Sequence, residues 1–221
     1  MPSDCITYPV HDKRGWLAYA YSMMAVSSMH PHREILGQAR RTAATLLDRR
    51  IPEPIRDPLV WLAGYEPDDV ELETLEVEFT RLFVNAYPKT PLPPYEAVQR
   101  GEGGLWGEST LDVVRSYAEA GLKYTRAHGV APDHLSAEME FAAFLLTSAD
   151  ASVGSEERTR FIAQYEHHFT AHLGPWVGEF CQKVERQTRV DFYRAFGRFG
   201  AALMALETER VIREGRAVCH G

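Results

Sequence analysis

The chain has 221 residues, with 24 basic and 31 acidic side chains and a formal net charge of -7. That balance argues against a general nucleic-acid binder, which shows a basic face, and suits a surface that receives a cationic partner. A hydrophobic share of 45% excludes a disordered chain and supports a sizeable core.

The length fits one large domain or two small ones. Cys5, Cys181 and Cys219 lack zinc-like spacing and read as free thiols of a reducing cytoplasm. Lys13-Arg14 followed by the apolar run Trp16 to Val26 superficially resembles a signal peptide, but Asp4 and Asp12 spoil the basic leader and no small-residue cleavage site follows. The run is too short to span a membrane, and we read it as a first core helix over residues 14 to 30, stopped by Pro31.

A second helix is expected over 32 to 50, with Ile35, Leu36, Ala39, Ala43, Leu46 and Leu47 near helical spacing. Its Arg40-Arg41 and Arg49-Arg50 pairs are solvated helix residues. Pro52, Pro54 and Pro58 mark a connection, and Pro58 to Tyr65 a buried helical turn or two. Asp68 or Asp69 caps the next helix, whose apolar stripe is Leu72, Leu75, Phe79, Leu82, Phe83 and Ala86, with Glu71, Glu73, Glu76 and Glu78 mostly on a wet face.

Residues 87 to 110 form a proline-broken and glycine-rich loop that carries Tyr95 and Trp106. Loops of this length in a compact domain are usually functional or disordered. Ser109 is the expected N-cap of the following helix, with Leu111, Val114, Tyr117, Ala118, Leu122 and Thr125 inward and Gly129 as its stop. Asp133 precedes a further apolar helix through Leu146. Helices over 156 to 172 and 175 to 187 are separated at Gly174-Pro175, and a last one runs from about 190 to 214. No segment shows clean period-two alternation, so the expected fold is all-α: one helical domain over residues 1–221, in which any lobe break falls near 87–108.

Pro93-Pro94-Tyr95-Glu96-Ala97-Val98, then Leu105-Trp106-Gly107-Glu108-Ser109-Thr110, then Pro132-Asp133-His134-Leu135 resemble, in this order and spacing, the TorD/DmsD family of cytoplasmic chaperones that mature molybdenum-containing oxidoreductases. Phe79-Thr80-Arg81-Leu82-Phe83, the segment Phe169 to Trp176, and Asp191-Phe192-Tyr193 extend the resemblance to about Leu72 through Glu207. It implies a helical bundle with N-terminal and C-terminal lobes. It also implies a non-catalytic role and a client: the catalytic subunit of a molybdenum oxidoreductase, bound through its twin-arginine leader or in its apo form until its cofactor is inserted. The cofactor is the client's, so the chaperone needs none. Monomer and homodimer both remain open, with no nucleic acid and no stable membrane insertion.

The family's Pro-Asp-His motif lines its client groove, which makes Pro132, Asp133 and His134 candidates here. The family motif often carries an acid shortly before the proline, where this chain has Gly129-Val130-Ala131. Read as residues alone, Asp133 is first an ordinary helix cap; a carboxylate at a helix start can also pair with a guanidinium, and His134 can change charge near neutral pH. Tyr95 and Trp106 either clamp the loop to the bundle or form an apolar shelf beside Glu96 and Glu108 for a basic, apolar peptide.

Gly101-Glu102-Gly103-Gly104 lacks the lysine and Ser/Thr spacing of a phosphate loop. A second reading is a metal-binding or hydrolytic bundle using His168 and His172 at i, i+4. Against it, no Glu-x-x-His pair recurs on two helices, and His172 beside Leu173 and Trp176 reads as packing.

Overall fold

The computed structural model describes residues 15–86, 89–125 and 129–218, with side chains through residue 213. Its α-helices are α1 (Gly15–Ser27), α2 (Arg33–Leu47), α3 (Glu53–Gly64), α4 (Asp69–Phe79), α5 (Glu96–Gln99), α6 (Glu108–Glu119), α7 (Leu135–Ala151), α8 (Ser155–His168), α9 (Gly174–Gln187) and α10 (Asp191–Val218). Two π-helical segments, Thr80–Val84 and Phe169–Leu173, continue α4 and α8. The all-helical expectation holds over the described residues. Cys5 and Cys219 lie outside them.

α1 is apolar around its whole circumference, and eleven of its thirteen residues are buried. A helix of that kind belongs inside a bundle, and α1 packs against α7, α2 and α10. Its Tyr21 hydroxyl meets Tyr165 Oη of α8 at 2.9 Å. Tyr165 donates to Glu207 of α10, which also accepts from Arg210 Nε at 3.0 Å. This buried relay ties three helices together. α9 and α10 cross closely: a methyl group at Gly197 would stand 2.7 Å from the Cys181 carbonyl oxygen and 2.8 Å from the Glu185 nitrogen. One buried apolar cluster takes in side chains from Leu17 to Met204.

Several local expectations are corrected. α3 begins at Glu53 and runs through Pro58, forfeiting one backbone bond near its start, where Pro54 already fits the first turn. The chain continues through Gly174-Pro175 because the wider π turn hands over to α9, with the Gly174 amide bonded to the Phe169 carbonyl. α6 ends at Glu119, before Gly121 at φ 81° and well short of Gly129. Its buried face is Ser109, Thr110, Val113, Ser116 and Tyr117, so Leu111 and Leu122 are exposed instead. Glu78, assigned to the wet face, is buried.

Candidate functional site

The site is a junction between α5, the start of α7 and the second π segment. Pro93 and Pro94 keep the chain extended, so Tyr95 and His134 pair as an isolated antiparallel bridge. The Glu96 amide donates to the Asp133 carbonyl at 3.0 Å, and the Leu135 amide to the Pro94 carbonyl at 2.9 Å. The Tyr95 and His134 rings meet edge to face, centroids 5.0 Å apart. Tyr117 of α6 donates to the Pro132 carbonyl at 2.8 Å, and Tyr124 to Val130 at 2.8 Å. The structure thus brings Tyr95, Glu96, Pro132, Asp133 and His134 together.

Asp133 is not the cap of α7. Its carboxylate is fully buried and accepts from the Ala97 amide at 3.1 Å, capping the short α5 from across the junction. His134 takes the α7 cap, its Nδ1 accepting from the Ser136 amide at 3.1 Å. Burial raises the Asp133 pKa against the Ala97 bond and the nearby Thr110 hydroxyl, which favour the ionised form. Thr110 and the other Asp133 oxygen close no hydrogen bond of their own. Burial lowers the His134 pKa to about 4, so this ring stays neutral where a charge change was expected. With Glu96, Pro132, Asp133 and His134 buried, these four line the inside of a joint and not the wall of an open groove. An incoming guanidinium cannot reach Asp133 in this arrangement.

Glu96 is held at 0% exposure by a partner on each oxygen: Arg100 donates to Oε1 at 2.7 Å, and His172 Nδ1 lies 3.0 Å from Oε2. Arg100 also donates to the Ala171 carbonyl at 3.1 Å, so α5 is fastened to the π segment twice. The π turn is what carries His172 inward. π turns are often found at functional positions.

Trp106 and Glu108 behave differently. Residues 101–107 form a surface loop in which Gly101, Gly103 and Gly104 take positive φ, as does Trp106 at 67°. A bulky residue there is a genuine outlier. The loop is pinned by Glu102, whose carboxylate accepts from both the amide and the hydroxyl of Ser109 at 3.1 Å. That contact replaces the expected Ser109 cap. Trp106 is 49% exposed and Leu105 52%, with Glu108 exposed beside them. Trp106 meets Tyr124 at 6.2 Å between ring centroids and through it reaches the 130–134 segment.

The His168/His172 pairing is only half realised. His168 is fully buried and its Nε2 donates to the Glu138 carbonyl at 3.1 Å, and burial lowers its pKa to about 3. The donors that converge are Glu96, Glu138 and His172, whose ligand atoms all lie within 4.8 Å of one another. Sequence reasoning missed Glu138 because it sits one residue before Met139 on an apolar helix. The residues one turn further along, Phe141 and Ala142, are apolar, so nothing local marks it as a ligand. Only the fold brings α5 and the π segment to it. Burial, then Glu96 and Asp133, push the Glu138 pKa well above the carboxylate range, with Arg100 opposing.

The chain shares its fold with a solved protein of Archaeoglobus fulgidus described as a putative redox enzyme maturation protein: the two superpose with a TM-score of 0.57 over 93% of this chain and 99% of that one, at 23% identity. A family model described as nitrate reductase delta subunit matches residues 36–182, more than half of the chain, and the chain belongs to that family. It is 28% identical over 134 residues to the chaperone protein TorD of Vibrio cholerae, covering 61% of this chain and 57% of that one. It is 28% identical over 114 residues to the chlorate reductase assembly chaperone of Ideonella dechloratans, covering 51% and 58%. With the selenate reductase assembly chaperone of Thauera selenatis it shares 27% over 132 residues, covering 59% and 65%. The chain spans less than two thirds of the length of each of these relatives.

Proposed function

We propose that this protein is a chaperone for the catalytic subunit of a molybdenum oxidoreductase. It binds the client's N-terminal twin-arginine leader, its apo form, or both, and delays export or assembly until the cofactor is inserted. Family membership supports the chaperone role, since the relatives are named as TorD and as chlorate and selenate reductase assembly chaperones. We place the work in the cytoplasm; among the described residues no helix is long and apolar enough to cross a membrane.

One observation carries the placement of the client contact. The strained, glutamate-pinned loop holds Leu105 and Trp106 half in water, next to the exposed carboxylate of Glu108. A large aromatic beside an acid fits a peptide that offers arginines followed by an apolar segment. Tyr95, partly exposed at the junction, extends this surface. Glu96, Pro132, Asp133 and His134 act through position: they fix the angle at which the loop leaves the bundle.

The test is titration of a fluorescent twin-arginine leader peptide against the wild type, Trp106→Ala and Glu108→Gln. Trp106→Ala weakens binding about tenfold or more, as a half-exposed anchor should. Affinity falls with added salt without vanishing, and Glu108→Gln flattens that salt slope. Equal affinity in all three proteins would remove the loop from the contact surface.

A further inference from the structure

We propose that Glu96, Glu138 and His172 form a binding site for a divalent first-row transition-metal ion, with Zn2+ the best fit, that clips α5 to α7 and the second π segment. The donors come from three separate elements and are all buried. Glu96 Oε2 and His172 Nδ1 are 3.0 Å apart as a hydrogen-bonded pair, and opening that pair to about 3.4 Å sets both atoms roughly 2.1 Å from one tetrahedral ion.

Glu138 is the independent observation. It is 0% exposed, and neither carboxylate oxygen has a hydrogen-bond partner. An isolated carboxylate in such a place is among the costliest groups a core can hold. Its oxygen nevertheless stands within 4.8 Å of the Glu96 and His172 donors, with no hydrogen bond joining it to either. An ion bonded to both sides spans that distance after a side-chain shift of roughly an ångström.

The donor set selects the ion class. Two carboxylates and an imidazole suit a borderline ion of low coordination number. Ca2+ wants six to eight oxygens, and Mg2+ keeps several waters, neither of which a dry junction offers. Arg100 on Glu96 Oε1 is then the outer partner that orients a ligating carboxylate. Two carboxylates balance the ion, so the site carries no net charge beyond that of Arg100.

The experiment uses the full chain without a histidine tag, stripped with chelator and then dialysed against Zn2+. Elemental analysis and thermal melting are read for the wild type, Glu138→Gln and His172→Gln. The expected result is one zinc per wild-type chain with a higher melting temperature. Each variant binds at least about a hundredfold more weakly, while Glu138→Gln without metal melts within about 4 °C of metal-free wild type. Co2+ in place of Zn2+ gives a visible absorption band in the wild type alone. Wild-type protein that takes up no stoichiometric zinc and shows no shift in melting overturns the proposal. So does stoichiometric binding that survives both substitutions, which would place the ion on exposed histidines such as His30 and His32.

Discussion

Glu78 and Glu138 are both glutamates withdrawn from solvent, at 4% and 0% exposure, yet their surroundings are opposite. Glu78 accepts from Arg81 Nε at 2.6 Å and Nη2 at 2.8 Å, from the Arg189 amide at 2.6 Å and from the Thr188 hydroxyl at 3.1 Å. Burial alone would raise its pKa, but these donors bring it below the ordinary value. Glu138 has no such donors, and burial with two carboxylate neighbours raises it. A buried acid with both oxygens answered is a clamp, here fixing the end of α4 to the α9–α10 turn. One left unanswered in the interior of a well-packed bundle calls for another explanation.

The sharpest way to break this contrast is to remove the first carboxylate. Glu78→Gln removes the charge that Arg81 pairs with and leaves one acceptor oxygen for four donors, and breaking a buried pair costs about 3–5 kcal/mol. Because Arg81 keeps 24% of its side chain exposed, the lower end, about 3 kcal/mol, is expected in urea unfolding. A loss below about 1 kcal/mol would mean that water replaces the clamp readily.

The second test asks whether the junction around Glu138 is as dry as its burial suggests. His134 titrates at about 4 in the fold and near 6.5 in the unfolded chain. The folded value is the lower one, so the unfolded chain takes up the proton first. His134 therefore leaves stability intact above about pH 6.5 and erodes it as the pH falls towards 4, by roughly 3 kcal/mol in full. His134→Asn keeps a capping side chain and removes the titration. The stability gap between wild type and variant should narrow or reverse across this window. A gap that stays constant with pH means that water reaches the ring.

How much of this was legible depended on range. An aspartate cap at 68 or 69 was readable locally, and the structure assigns it to Asp68, completed with Glu71 into a reciprocal capping box. Of the apolar stripe Leu72, Leu75, Phe79, Leu82, Phe83 and Ala86, which followed from period, the middle four are buried and the two ends half-buried. The Pro-Pro-Tyr-Glu and Pro-Asp-His stretches were recognisable as one constellation, and they do meet. Their inward orientation was not legible. Whether Asp133 caps its own helix or reaches the Ala97 amide is set by a contact 36 residues away in sequence, which no local spacing records. Ser109 was missed as a capped residue for the same reason: Glu102 approaches from a loop whose path is set by three positive-φ glycines. Glu78 was misplaced because its partners at 188 and 189 lie more than a hundred residues away.

The surface loop sets a smaller test on the contrast between buried joint and exposed reader. Trp106→Ala should weaken leader affinity about tenfold, near 1.4 kcal/mol, and change stability by less than about 1 kcal/mol, because half of the side chain is already in water. If the melting temperature falls with the affinity, Trp106 is holding the loop against Tyr124 and the peptide is read elsewhere.

The smallest effect is expected at Glu138 itself, and it is the most informative. Glutamine keeps the shape of the side chain and discards the acid. In metal-free protein there is no hydrogen bond for Glu138→Gln to break, and relief of repulsion from Glu96 and Asp133 offsets the desolvation of a neutral amide. Chemical unfolding at pH 7 should therefore differ from wild type by no more than about 1 kcal/mol in either direction. Burial raises the folded pKa of Glu138, so its cost to the wild type is felt only above the unfolded value of 4.5 and fades as the pH falls from 7 towards it. Any advantage of the variant should shrink over that interval. A loss of about 3 kcal/mol, the size expected for Glu78, would show that the Glu138 carboxylate is answered after all, and the two glutamates would then be variants of one clamp.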